Sequence, residues 1–286
     1  MMNRYPQSEF YRAFFRDCYL QSGWIPVQPF GHSIANGDLF QIQNGQLLSL
    51  LNIQQLALTH SEEYSDKVRL REQDWPNNFA CVQTQNNAYT EQTDSGFSQI
   101  RQQNYSFEQT GAYLFRGRNP QGRFMLNWHK IAEELIVKLT QSKFTFQEVC
   151  IVTDVAEIPQ WGLAIAAQAN ASLQLVAATN SGNCLFEEEN CQMSDSSYLS
   201  VYEHSHSRPL YFFRAKKLLL SAKKRDHYLK RMLHNDAAIE SSYHKGWLQT
   251  SLLNLASSNE LNINSCVDFF DWQDVGMDEV VKLIGI

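Results

Sequence analysis

Apolar residues occupy every second position from Leu163 to Ala177, and the opposite positions are polar mainly in the middle of the stretch. A period of two places alternate side chains on opposite faces of a β-strand. The stretch is longer than an ordinary strand of about five or six residues and exceeds the roughly 9–11 residues of a strand that crosses a bilayer. Because alanine, which recurs here, is the best helix former, this window alone favours strand and helix equally.

The rest of the chain predicts an α+β fold. Asn44-Gly45 is a hairpin turn signal between two apolar arms at 38–43 and 47–51. A helical period over 127–139 places Trp128, Ile131, Leu135 and Leu139 on one face. Runs rich in β-branched and aromatic residues predict further strands at 112–115, 149–153, 198–202 and 210–213. We therefore expect a twisted antiparallel or mixed sheet with surrounding helices near 9–20, 128–139 and 216–284.

Residues 60–108 contain few large apolar side chains. Such a composition is typical either of a mobile loop or of solvated pairs of strands. The sequence leaves both alternatives open for this region.

Composition narrows the class of protein. The 286 residues suffice for one large domain or two small ones. A net charge of -6 argues against nucleic acid as the default partner, because lysine and arginine drive phosphate binding. The sequence has no apolar run of the roughly 20 residues that a spanning helix needs, and its first residues do not resemble a signal peptide. We therefore expect a protein that is made soluble and stays in the cytoplasm, with its six scattered cysteines reduced.

Motifs for catalysis or metal binding are absent. The sequence contains no GxSxG, P-loop, HExxH or GxGxxG pattern. His204 and His206 have no third ligand at convincing spacing, so a solvated turn is the better interpretation. His129 lies near Glu133 and Glu134 on a helix of alternating charge, which is typical of a solvated face. We expect no enzymatic activity, no metal and no cofactor.

Charge is distributed unevenly in the last quarter of the chain. Residues 214–231 carry eight basic side chains and one acidic one, whereas residues 260–282 carry six acidic side chains and one basic one. A basic stretch attracts anionic lipid headgroups, with about 1 kcal/mol for each basic residue near the surface. The candidate headgroup contacts are Lys216, Lys217, Lys223, Lys224 and Arg225.

The acidic tail also carries large apolar side chains, which would anchor it on the rest of the protein. The candidate anchors are Phe269, Phe270, Trp272 and Leu283. The tail is then a cover for the basic stretch, and the polar residues 254–265 are an exposed linker of the kind where proteolysis concentrates. The alternative is that both stretches are ordinary helical faces.

Three stretches, in this order, resemble a bacterial gasdermin. Residues 37–45 with 47–53 resemble the early strand, turn and leucine-rich return of that family. Residues 138–166 resemble the end of its central helix and the two strands that follow, and residues 208–218 resemble its aromatic strand leading into a basic helix. With their flanks, these stretches cover roughly a third of the chain.

The resemblance implies a pore-forming domain over 1–253, a cleavable linker over 254–265 and an inhibitory segment over 266–286. A partner protease, caspase-like in many members of the family, would remove that segment. The freed protein would oligomerise and form a pore in the cell membrane, and the resulting cell death limits phage spread. The resemblance also favours a strand after Trp161.

In that strand, alternating residues would face lipid and water. The lipid-facing candidates are Leu163, Ile165, Leu173 and Leu175, and the water-facing candidates are Gln168, Asn170 and Gln174. Two other classes remain open. One is a soluble protein-binding or immunity module that uses the polar region 60–108 and nearby aromatics as a partner surface, and the other is an enzyme of an unrecognised family.

Overall fold

The computed structural model describes residues 7–56, 64–93, 96–141, 149–178, 191–205, 208–220 and 270–284. Within these ranges lie three α-helices: α1 (Gln7–Ser22), α2 (Trp128–Gln141) and α3 (Met277–Leu283). The strands are β1 (Ile25–Pro26), β2 (Asp38–Gln43), β3 (Gln46–Asn52), β4 (Val68–Arg69), β5 (Asn78–Phe79), β6 (Cys81–Thr93), β7 (Gly96–Phe107), β8 (Tyr113–Arg118), β9 (Gln121–Phe124), β10 (Cys150–Ile158), β11 (Gln160–Ala166), β12 (Ala171–Ala178), β13 (Cys191–Ser197), β14 (Leu199–Ser205), β15 (Leu210–Leu220) and β16 (Phe270–Asp274).

The strands form three antiparallel sheets, which confirms the α+β fold class. The central sheet has the order β1-β15-β10-β2-β3, with β16 beside β15, β9 beside β10 and β4 beside β9. The second sheet has the order β14-β11-β8-β5, and the third has the order β13-β12-β7-β6. None of the helices in the described ranges combines the length and the apolar character that a bilayer span requires.

Apolar clusters join these layers. The first cluster connects α1 and α3 with one face of the central sheet and with the second sheet. The second cluster lies between α2 and the opposite face of the central sheet. The third cluster lies between the second and third sheets. The central sheet is therefore packed on both faces, and the third sheet lies at the far end of the stack.

Two local predictions are confirmed. Gln43 pairs with Gln46 across a two-residue turn, and both turn residues have positive φ, with 51° at Asn44 and 75° at Gly45. Asn-Gly is favoured in such a turn because both residues tolerate this backbone region. In α2, the predicted apolar face is buried at Ile131, Leu135 and Leu139.

The stretch 163–177 is extended, but it forms two strands where the period of two predicted one. β11 ends at Ala166 and β12 begins at Ala171, and Asn170 between them has a positive φ of 61°. Leu163 and Ile165 pack in the first cluster, whereas Leu173 and Leu175 pack in the third. The single apolar face expected from the sequence is wrong for the folded protein, because β11 is buried on both sides and the chain turns before β12.

The helix expected from residue 216 is also wrong over the part of that region that the structure describes. β15 continues as a strand to Leu220, and residues 270–274 form β16. Pairing explains the difference, since β15 lies between β10 on one side and β1 and β16 on the other. Among the described residues of 216–284, only those of α3 form the expected helix. Residues 221–269 lie outside them.

Of the two alternatives for the polar region 60–108, the structure shows strand pairs. Residues 81–107 form the antiparallel hairpin of β6 and β7, with Thr93 paired with Gly96 and Cys81 paired with Phe107. Alternation on β7 buries Gln103, Tyr105 and Phe107 toward the second sheet. The loop alternative is therefore wrong for this part of 60–108.

Candidate functional site

Residues 270–284, here called the tail, form a strand and a helix on the edge of the central sheet. β16 pairs with β15 from Lys216 opposite Asp274 to Leu220 opposite Phe270. The backbone N–H of Val275 then donates to the carbonyl of Ala215 at 2.9 Å. β10 lies on the other side of β15. Among the described residues, β16 of the tail is therefore the second strand that pairs with this part of β15.

Apolar side chains of the tail enter the cores on both sides of the central sheet. Phe270 is 5% exposed and lies in the second cluster, with α2. Val275, Val280, Leu283 and Ile284 are buried in the first cluster, with α1. Each large apolar side chain that is fully buried contributes about 1.5–3 kcal/mol. The tail is thus held mainly by burial, and its two parts are anchored on opposite faces of the sheet.

Trp272 connects the tail to α2. Its ring meets the Trp128 ring edge to face, with 5.3 Å between centroids. Its indole Nε1 donates to the carbonyl of Ala132 at 3.1 Å. Because this carbonyl and ring belong to the first turns of α2, the contact fixes the tail strand against the helix that covers the sheet.

Among the residues that the structure describes, Lys216 and Lys217 of β15 each form an ion pair with the tail, and the two pairs differ in burial. Lys216 Nζ lies 2.5 Å from Asp274 Oδ1, but the Asp274 side chain is 84% exposed, so solvent screens this pair and it contributes little. Lys217 is 8% exposed, and its Nζ lies 3.0 Å from Glu279 Oε1. Loss of Lys217 would remove the cation that offsets the desolvation of Glu279, which is costly.

The second pair sets the charge state of Glu279. Burial raises the pKa of this carboxyl group, but the hydrogen bond and the charge of Lys217 lower it, and so does the N–H of Gly276, which donates to Oε2 at 3.2 Å. The net effect is a pKa below the ordinary value. Glu279 therefore holds its negative charge opposite Lys217, at the start of α3.

The structure brings some of the sequence-predicted residues together at the tail. Phe270, Trp272 and Leu283 contact the body, and Lys216 and Lys217 face acidic groups of the tail. Lys223, Lys224, Arg225, Phe269 and the linker 254–265 lie outside the described residues. Sequence reasoning missed the contribution of Trp128 and Ala132, although the position of Trp128 on the apolar face of α2 was a usable signal.

The four candidate lipid-facing residues are all inside the folded protein. Leu163, Ile165, Leu173 and Leu175 are each at most 1% exposed, and they divide between two clusters. Their water-facing counterparts Gln168 and Asn170 are exposed in the turn between β11 and β12, and Gln174 is partly buried. The structure therefore separates the two kinds of side chain but does not bring the four apolar ones to one face.

A small cavity of about 190 Å³ lies at the junction of β9, β10 and β15. Its lining includes Tyr64, Tyr211 and Arg123, and the ion pair of Lys67 with Glu157. The groups whose pKa values are raised by burial lie outside this lining: Tyr11, Cys18, Cys81, Tyr113 and Asp154. Within the described ranges, no three His, Cys, Asp or Glu side chains converge as a metal site would require.

Comparison with solved structures shows a likeness to a bacterial protein. No family model matches the chain, and no curated protein matches it. The solved structure of a bacterial gasdermin from Bradyrhizobium tropiciagri is similar over 72% of this chain and 86% of that chain, with 11% sequence identity and a TM-score of 0.33. A likeness of this size assigns no function to the present chain.

Proposed function

We propose that this chain is an autoinhibited, gasdermin-like pore-forming protein that a protease activates and whose pore kills the cell in anti-phage defence. The observation that supports the proposal is the tail, a separate strand and helix that completes the edge of β15. The residues just before the tail include the polar stretch 254–265, where we expect the protease to cut. A caspase-like partner is the class that the resemblance implies.

Release of the tail would change the surface of β15 in two ways. The backbone groups of residues 216–220 would lose the pairing with β16, and an unpaired strand edge is a template for association with another chain. Lys216 and Lys217 would also lose the acidic groups that now face them. The freed protein would therefore present a strand edge for self-association and two cations for anionic lipid headgroups.

Insertion into the membrane would require β11 and β12 to leave their clusters. A straight strand over 163–177 would bring Leu163, Ile165, Leu173 and Leu175 to one face, because its side chains alternate. Unpaired backbone groups in lipid are expensive, so such strands from several copies must close into a barrel. Burial of the four side chains in the soluble form then explains why the full-length protein would stay in the cytoplasm until it is cut.

The experiment cuts the folded protein. A recognition sequence for a site-specific protease is placed within 254–265 of the full-length chain, and the purified protein is cut in the presence of dye-loaded vesicles. We expect dye release after the cut, and more from anionic than from neutral vesicles. The control carries a scrambled recognition sequence and receives the same protease. Absence of release from both kinds of vesicle, with the tail dissociated and the body still folded, would refute the proposal.

A second candidate function is a protein-binding module without membrane activity. It is favoured by the hairpin of β6 and β7, since β6 is exposed from Val82 to Gln92. Such a module would leave both kinds of vesicle intact before and after the cut.

A further inference from the structure

β6 lies along the outer edge of the third sheet. The sheet ends with β6, which pairs only with β7 among the described strands. Its side chains are exposed from Val82 to Gln92. A strand at this position presents a row of backbone N–H and C=O groups to an incoming strand.

The usual protections of an edge are largely missing from β6. Over Cys81–Thr93 the sequence has no proline and no lysine, and Glu91 is its one charged residue. A bulge between Gln83 and Gln85 interrupts the start of the strand, which leaves nine regular residues, 85–93. At their centre Tyr89 is 47% exposed.

We infer that β6 pairs antiparallel with β6 of a second copy of this chain. The longest regular pairing uses all of 85–93 and places Tyr89 beside its symmetry mate on the two-fold axis. Asn87 then lies opposite Glu91, and Gln85 lies opposite Thr93. A two-fold interface of this kind pairs the same patch on both subunits. The two third sheets join into one sheet of eight strands.

Side-chain and backbone chemistry both fit this partner. Cross-strand aromatic pairs stabilise a sheet, whereas like charges directly opposite each other destabilise it. In the antiparallel register the two Tyr89 rings form a cross-strand aromatic pair. Each Glu91 lies opposite the side-chain amide of Asn87 and not opposite another carboxylate. A parallel, in-register pair would instead oppose Glu91 to Glu91. Nine paired residues form about eight to ten backbone hydrogen bonds, similar to the roughly ten hydrogen bonds of a typical protein interface.

The test measures the association of the full-length protein by sedimentation velocity over a range of concentrations. Tyr89→Lys places two lysines opposite each other and should weaken the dimer about tenfold. Asn87→Lys places each new lysine opposite Glu91 of the other copy and should tighten it. Both variants add one positive charge to an exposed position of β6, so a general effect of charge or of stability cannot shift them in opposite directions.

Gln102→Lys on β7 is the matched control, because Gln102 is the partner of Asn87 across the β6–β7 ladder and lies one strand away from the edge. It should leave the association unchanged. Thermal unfolding of each variant confirms that it is folded. A wild-type protein that remains monomeric at about 100 μM, or a dimer that both β6 variants weaken alike, would overturn the inference. The inference does not depend on the proposed pore function, and dimerisation is measured without membranes.

Discussion

Replacement of Phe270 by alanine should detach the tail strand while the body stays folded. The ring is 5% exposed and lies in the cluster between α2 and the central sheet. A buried Phe→Ala change costs about 3–5 kcal/mol. Because this ring joins the tail to the body, most of the cost falls on docking, and the undocked population should rise by about two to three powers of ten.

Amide hydrogen exchange in β15 reports the undocked state directly. The N–H of Leu218 donates to the carbonyl of Val149 at 2.9 Å, on the β10 side of the strand. Since successive amides of a strand point to opposite sides, those of Lys217 and Leu219 point to β16. In Phe270→Ala, the amides of Lys217 and Leu219 should exchange at least about a hundredfold faster, and the amide of Leu218 should keep its rate.

Phe107→Ala is the matched control, because Phe107 is also fully buried but lies in the third cluster, which contains no tail residue. Phe107→Ala should lower global stability by a similar amount. It should leave the ratio of the amide exchange rates of Lys217 and Leu219 to that of Leu218 unchanged. Equal rates in Phe270→Ala and the wild type would show that the ring does not hold the tail. A matching rise at Leu218 would show that β15 opens as a whole, which contradicts independent docking.

Three further predictions concern the membrane strand, pH and thiol reactivity. In the protease-cut protein, Leu173→Lys should reduce vesicle leakage strongly, because a lysine at the bilayer midplane costs about 2–4 kcal/mol. Asn170→Lys should leave leakage nearly unchanged. Equal losses of leakage from the two folded variants would contradict the assignment of Leu173 to the lipid-facing side. Glu279 has a lowered pKa, so its contribution to docking is complete above the ordinary value of 4.5 and is lost as pH falls through the lowered value. The wild-type tail should therefore be released at acid pH, which tryptophan fluorescence would detect. Glu279→Gln should dock more weakly at pH 7 and lose this acid-dependent release. Release at the same pH in both proteins would exclude this carboxylate. Burial raises the pKa of Cys81 to about 12. A thiol reagent at pH 8 should therefore modify Cys81 only in unfolded protein. Rapid labelling of Cys81 in native protein, measured by mass spectrometry, would be inconsistent with the structure.

Elements whose signals are local were predictable from the sequence. The β2–β3 hairpin follows from Asn44-Gly45 between two apolar arms, since few residues tolerate two successive positive φ values. Helix α2 follows from its helical period of apolar residues. Neither element depends on a distant partner for its type, so the sequence pattern was sufficient for both.

Elements whose type depends on distant pairing were predicted less well. A helix was expected from residue 216, but β15 extends to Leu220 because β10 and β16, from distant parts of the chain, pair with it. The break between β11 and β12 had a local signal in Gln168 and Asn170, which are polar residues in the middle of the alternating stretch. Their polarity indicated one wet face, whereas the positive φ of Asn170 marks a turn.

The tail also combines features that were predictable from the sequence with features that were not. Its composition predicted apolar anchors and acidic partners for the basic stretch, and the structure places Phe270, Trp272 and Leu283 against the body. Composition could not show that the tail adds a strand to the sheet, because the pairing of β16 with β15 joins backbone groups of residues that are far apart in sequence. The buried pair of Lys217 and Glu279 likewise required the fold, since the two residues are far apart in sequence.

Restoration of inhibition by the isolated tail tests the central claim most directly. The full-length protein is cut within 254–265, the body is separated from the tail, and a synthetic peptide of residues 266–286 is added back before the dye-loaded anionic vesicles. The account predicts that the body alone releases dye, that the peptide suppresses release in a concentration-dependent way, and that the same peptide with Phe270→Ala suppresses it only at about a hundredfold higher concentration or more. A folded body that releases no dye without the peptide, or release that both peptides suppress equally, would contradict the account.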